Sequence, residues 1–121
     1  MHDYRKLEVW RAARALVRVV YDLTATFPRS EQYGLTAQMR AAAVSVPSNI
    51  AEGSGRGSDR DNARFVGFAI GSSCELETLA ILSHDLGYSD EPGCQTVLVR
   101  VADIRRMLCA FRRRLTRSEH A

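Results

Sequence analysis

Apolar positions along this chain fall on helical lines, and nowhere do they alternate as strand positions would. Trp10, Ala13, Val17, Val20, Thr24 and Phe27 recur at spacings of 3, 4, 3, 4 and 3, and Val9, Leu16 and Leu23 form a second line seven residues apart. Together they make a sector wider than a two-helix contact requires, so part of the first helix is expected to face a partner subunit. Pro28 ends this helix, because proline has no N–H and restricts the residue before it. Ser30 is the expected N-cap of a second helix, with Glu31 in its first turn. Its inward face is Leu35, Met39, Ala42, Val46, Asn49 and Ile50. Pro47 falls inside this pattern and predicts a kink, at a cost of roughly 3 kcal/mol that packing must offset. Gly53 and Gly55 are expected to supply the positive φ of a helix end.

Ser58-Asp59-Arg60-Asp61 resembles a capping box and opens a third helix that runs to about Leu86. It carries two neighbouring seams, one of Phe65, Phe68, Ser72, Glu75, Leu79, Leu82 and Leu86, the other of Val66, Ala69, Ser73, Leu76, Ala80 and Ser83. Gly87 closes the helix and Tyr88 folds back on it. Ser89-Asp90-Glu91-Pro92 reads as a cap with an acidic first turn. The fourth helix shows Val97, Val101, Ile104, Leu108, Phe111 and Leu115 at spacings of 4, 3, 4, 3 and 4, the cleanest heptad in the chain. Ser118 to Ala121 are expected to fray. The pattern predicts an all-α protein, an antiparallel up-down-up-down four-helix bundle with a proline-kinked second helix. Residues 1–121 form one domain, with helices at about 5–27, 30–53, 58–87 and 91–117.

Length and composition narrow this picture. A chain of 121 residues has room for one core. The longest uncharged run, 41–51, is broken by Ser45, Pro47, Ser48 and Asn49 and falls short of the ~20 residues of a membrane span. The N-terminus lacks an apolar stretch followed by a cleavage site, so the expected address is the cytoplasm. Cys74, Cys94 and Cys109 have no CxxC or Cys/His spacing, which argues for reduced thiols over a disulfide framework or a zinc site.

The net charge of +3 is modest, but its distribution is uneven. Both ends of the chain are basic and the middle is acidic, with Asp59, Asp61, Glu75, Glu77 and Asp85 between Ser58 and Gly87. Such asymmetry can hold a polyanion on one surface, or bring a basic surface of one subunit to an acidic one of the next. Arg11, Arg14 and Arg18 share one face of the first helix. The outer faces of the fourth carry Arg105, Arg106, Arg112 and Arg113. These seven are the candidate contacts to phosphates. With no helix-turn-helix or zinc finger and few aromatics, any nucleic acid would be read by backbone and shape.

Enzymatic chemistry finds little support. A di-iron carboxylate site needs Glu-x-x-His, and no histidine follows a glutamate by three positions here. His84 beside Asp85 reads as a surface or capping pair. Ser45, Ser48, Ser72 and Ser73 sit among small residues, where serine packs and bonds back to its own helix. Gly53-Ser54-Gly55-Arg56-Gly57 lacks the strand and the Lys-Ser/Thr of a P-loop and reads as a turn. No metal or cofactor is implied. Asn49 and Glu52 are read as bonding helix ends and the turn, and Arg40 as pairing with Glu75 or Glu77.

Leu7-Glu8-Val9-Trp10, Phe27-Pro28, the run from Tyr33 to Arg40, Ser45-Val46-Pro47-Ser48-Asn49-Ile50-Ala51-Glu52-Gly53, Gly71 to Thr78 and Asp85-Leu86-Gly87-Tyr88 carry a family resemblance. The chain resembles the four-helix-bundle proteins found within intervening sequences of bacterial 23S ribosomal RNA genes. The accessory variability determinant of diversity-generating retroelements is similar. The match covers about residues 4–88, and its most specific part is the string from Ser45 to Gly53. The resemblance implies a non-enzymatic bundle that assembles as a ring-shaped homopentamer with a basic surface. In the retroelement branch it implies a reverse transcriptase as partner and RNA as ligand. The expected function is therefore binding of structured RNA or DNA, or of a nucleoprotein partner, through arginines. The alternative is a scaffold ring that docks a protein and leaves nucleic acid alone.

Overall fold

The computed structural model describes residues 3–120, with side chains to Arg117. Four helices, α1 (Glu8–Thr24), α2 (Leu35–Ser54), α3 (Asp59–Asp85) and α4 (Glu91–His120), follow one another with two short 3-10 turns, Tyr4–Lys6 and Arg29–Glu31. No strand occurs among the described residues. Each helix packs on the next and α1 packs on α4, so the four enclose a single core. Between α2 and α3 the contacts run in opposite sequence order. Gly53 meets Asn62, the Ser45 hydroxyl meets Ser72 at 2.8 Å, and Ser83 donates to Met39 Sδ at 3.3 Å. Leu16, Met39, Val46, Ile50, Val66, Leu76, Val101 and Leu108 fill the interior with essentially no exposure.

The heptad positions of α4, from Val97 to Leu115, are all buried. So is the thinner seam of α3, whose Ala69, Ser73 and Ala80 let neighbouring backbones approach. Its other seam behaves differently. Phe65 and Leu79 are buried, but Phe68, Leu82 and Leu86 remain exposed. By length and composition α3 is also apolar enough to cross a membrane, which the longest uncharged run did not suggest. The helix nonetheless carries Glu75 and Glu77 and packs between α2 and α4.

Caps and turns correct several expectations. Ser30 does not cap α2. It lies in the 3-10 turn, and the backbone of Gly34 (φ −109°, ψ −116°) is out of helical range before α2 begins. Glu31 supplies the cap, its Oε1 accepting from the Leu35 N–H at 3.1 Å. Gly53 and Gly55 do not adopt positive φ, which among the described residues belongs to Gly87 alone, at 78°. Gly53 instead lies inside α2 because α3 comes so near. A Cβ there would sit 2.6 Å from Asn62 Oδ1 and 2.8 Å from Phe65 Cβ. Gly87 ends α3 in a Schellman turn, donating to His84 O at 3.0 Å while the Tyr88 N–H reaches Ser83 O at 2.9 Å.

Ser58 caps α3 by accepting from the Asp61 N–H at 3.0 Å, and Asp90 caps α4 by accepting from the Gly93 N–H at 2.8 Å. Pro47 lies inside α2, which continues beyond it to Ser54. The helical part of α4 extends past Arg117 to His120, and the expected fraying at Ala121 lies outside the described residues.

Candidate nucleic-acid interface

On α4, Arg105, Arg106 and Arg113 border a shallow depression of about 390 Å³ with Ala102 and Cys109. Of these, Arg105 crosses to α3. Its Nη2 donates to Glu77 Oε2 at 2.9 Å and its Nη1 approaches Cys74 Sγ at 3.5 Å. That charge-assisted bond holds the guanidinium's pKa above its ordinary value, with the Cys74 contact adding to it. Arg105 is therefore a strut between α3 and α4, half-covered and already neutralised, and a poor phosphate contact. Arg106 pairs with Asp103 on its own helix in an exposed geometry. Arg112 lies beside Gly67 of α3, where an added Cβ would meet its Nη1 at an ordinary 3.8 Å. Neither Arg112 nor Arg113 has a carboxylate within 4.0 Å among the described residues, and both are exposed.

The arginines of α1 stand elsewhere. Arg14 and Arg18 flank a groove between α1 and α2 whose floor is Trp10, Val17, Tyr21, Val44, Pro47 and Ala51. The Arg14 guanidinium stacks 5.6 Å from the Trp10 ring centre. Arg18 reaches Asp22 at 3.4 Å, and Arg11 Nε donates to the Arg5 carbonyl at 2.9 Å. Arg14 and Arg18 stand at the α1–α2 groove, whereas Arg105 and Arg112 turn toward α3, so the seven candidate arginines do not form one surface. Sequence periodicity shows which residues share a helix face, but not which neighbour that face meets.

Arg40 pairs with neither Glu75 nor Glu77. It turns toward α1, where its Nε donates to Thr24 Oγ1 at 2.9 Å and its guanidinium lies 4.4 Å from the Tyr21 ring centre. Asn49 donates to Ser45 O at 2.8 Å and to Ser45 Oγ at 2.9 Å, so it bonds back along α2 and not to a helix end. With Ser72 this makes a half-buried polar link between α2 and α3. Glu52 pairs with Arg56 of the turn at 3.2 Å, and His84 pairs with Glu91 across the α3–α4 connection at 3.5 Å, not with Asp85.

At the start of α3, Arg56 and Arg64 both contact Asp61, at 3.7 and 2.9 Å, and both stack on Phe65. These pairings leave that helix N-terminus little capacity for an anion. No group of three or more His, Cys, Asp or Glu arranged to hold a metal exists among the described residues. The groove itself, with Tyr21 and Val44, was missed in the sequence. Its signal was the line Trp10, Arg14, Val17, Tyr21 at spacings of 4, 3 and 4, beside Val44, Pro47 and Ala51 at 3 and 4.

A family model described as 23S rRNA-intervening sequence protein matches residues 5–110. No curated protein matches the sequence. Among solved structures, a protein of unknown function from the S23 ribosomal protein family of Bacteroides thetaiotaomicron shares the fold with a TM-score of 0.75. The two are 18% identical over 84% of this chain and 95% of that one.

Proposed function

The chain belongs to the 23S rRNA-intervening sequence protein family, and from that premise we propose that it is a non-enzymatic, homo-oligomeric bundle that binds structured nucleic acid, RNA foremost. It acts in the cytoplasm as a ring, pentameric as in the retroelement proteins it resembles, either on RNA directly or within a nucleoprotein such as a reverse transcriptase complex. The observation that supports RNA binding is the α4 face, where Arg112 and Arg113 stand exposed without a carboxylate partner among the described residues and Arg106 stands beside them. Repetition of that face around an oligomer multiplies phosphate contacts without any element that reads bases.

The test is fluorescence anisotropy of a hairpin RNA titrated with the full chain. Three phosphate contacts from one chain weaken binding about 40-fold between ~50 and ~200 mM salt, from a slope of roughly −0.9 per contact, and each further chain of the ring that engages steepens the fall. Arg106→Ala, Arg112→Ala and Arg113→Ala combined remove most of the binding and flatten that slope. Unchanged affinity in the triple variant rejects the α4 face. Absence of binding even at the lower salt favours the other reading, a scaffold ring for a protein partner.

A further inference from the structure

Helix α3 carries an apolar line that its own bundle covers at Leu79 and leaves open at Phe68, Leu82 and Leu86. Phe68, Ser72, Glu75, Leu79, Leu82 and Leu86 recur at spacings of 4, 3, 4, 3 and 4. Phe68, Leu82 and Leu86 are 47%, 43% and 58% exposed, far more than a seam with a partner would be. Large apolar side chains on one heptad line are half of a knobs-into-holes contact. Glu75, at the centre of the line, has no cationic side chain within 4.0 Å among the described residues.

The groove between α1 and α2 offers the other half. Its two hollows, of about 360 and 400 Å³, share Arg14, Val17 and Val44. Their lining residues fall on heptad spacings of both helices, and two helices side by side in that register make the holes that a third helix fills. The floor is apolar and the rim is cationic. Arg14 has no carboxylate within 4.0 Å among the described residues, and Arg18 has only its exposed pair with Asp22. An apolar helix face with one unpaired carboxylate therefore matches this groove in both shape and charge.

Within one chain the two surfaces cannot meet, because α2 stands between them. Since they are different patches, the contact between copies is heterologous, the kind that builds a ring when its rotation closes. We propose that the α3 line of one copy docks in the α1–α2 groove of the next, with Glu75 against Arg14 and Arg18, and that this contact builds the ring. The inference rests on the oligomeric part of the function proposed above. It assigns Arg14 and Arg18 to assembly and leaves the α4 arginines for nucleic acid.

Sedimentation velocity of the full chain tests it. Leu82→Asp, which spoils the line, and Val44→Asp, which spoils the groove, each reduce the assembly to a monomer with unchanged far-ultraviolet circular dichroism. Mixed, the two variants form a 1:1 dimer, because one intact line meets one intact groove and no further contact is possible. Glu75→Arg and Arg14→Glu each weaken assembly, and the two combined in one chain restore it. This exchange decides the matter even if an aspartate variant fails to fold. A monomeric wild type overturns both the oligomeric reading and this contact. An oligomeric wild type whose variants keep its mass, a mixture that stays monomeric, or a charge exchange without rescue overturns the contact alone.

Discussion

At Gly53 the α2 backbone comes close to α3, and a side chain there has nowhere to go. Gly53→Ala would place a Cβ within 2.8 Å of both Asn62 Oδ1 and Phe65 Cβ. Overpacking of this kind costs about 1–3 kcal/mol, which urea denaturation should detect as a lower midpoint. Gly57→Ala, where no atom lies within 4 Å of the new Cβ, should move the midpoint little. The thiols separate in the same way. Burial, and then the charges of Glu91 and Asp85, push the Cys94 thiol above its ordinary value, so less of it is thiolate at a given pH. Timed alkylation read by mass spectrometry should label exposed Cys74 first and Cys94 last. Tyr88 is raised in the same direction, by partial burial and then by the Glu31 carboxylate that accepts its hydroxyl at 3.3 Å. A raised folded value means that the native state holds the phenolic proton more tightly. This contribution is therefore complete below the ordinary tyrosine value of 10.0 and lost as the pH climbs past it. Tyr88→Phe should flatten the alkaline fall of the melting temperature.

At the scale of the elements, α4 was the most legible and α3 the least. The core-facing positions of α4 make a single clean heptad, and every one of them is buried. Helix α3 carries two neighbouring seams that overlap in sequence, and only the structure separates the buried one from the one left partly open. The start of α2 was misread because Ser30 is a good cap by residue type, whereas Glu31 reaches forward across the Gly34 break. The long-range pairs were not legible at all. Arg40 and Arg105 each have a stem long enough to reach several carboxylates, and the angular position of the neighbouring helix decides which. Arg105 and Glu77 hold α3 to α4 with side chains 29% and 33% exposed, so water screens them and their coupling is about 0.3–1 kcal/mol. A double-mutant cycle of Arg105→Ala and Glu77→Gln by denaturation should recover a value in that range. Neither change should weaken RNA binding as the loss of Arg112 and Arg113 does, and an equal loss from Arg105→Ala would return that arginine to the interface.

At the scale of the whole molecule, the two proposed surfaces respond to salt in different ways because they are made of different chemistry. Contact with nucleic acid is built from exposed guanidinium groups, and counterion release makes its affinity fall steeply as salt rises. Contact between copies is built chiefly from Phe68, Leu82 and Leu86 against Trp10, Val17 and Val44. Burial of apolar area is nearly indifferent to salt in this range, and only the Glu75 contribution is screened. Between ~50 and ~200 mM salt, RNA affinity should therefore drop by at least about 40-fold while the sedimenting mass of the protein alone stays constant. Anisotropy and sedimentation on the same samples make the comparison. If the mass falls in step with the affinity, the ring itself is held by charge, and the loss of RNA follows from disassembly and not from the α4 arginines. If the mass holds while the affinity drops, assembly and nucleic-acid binding rest on different contacts.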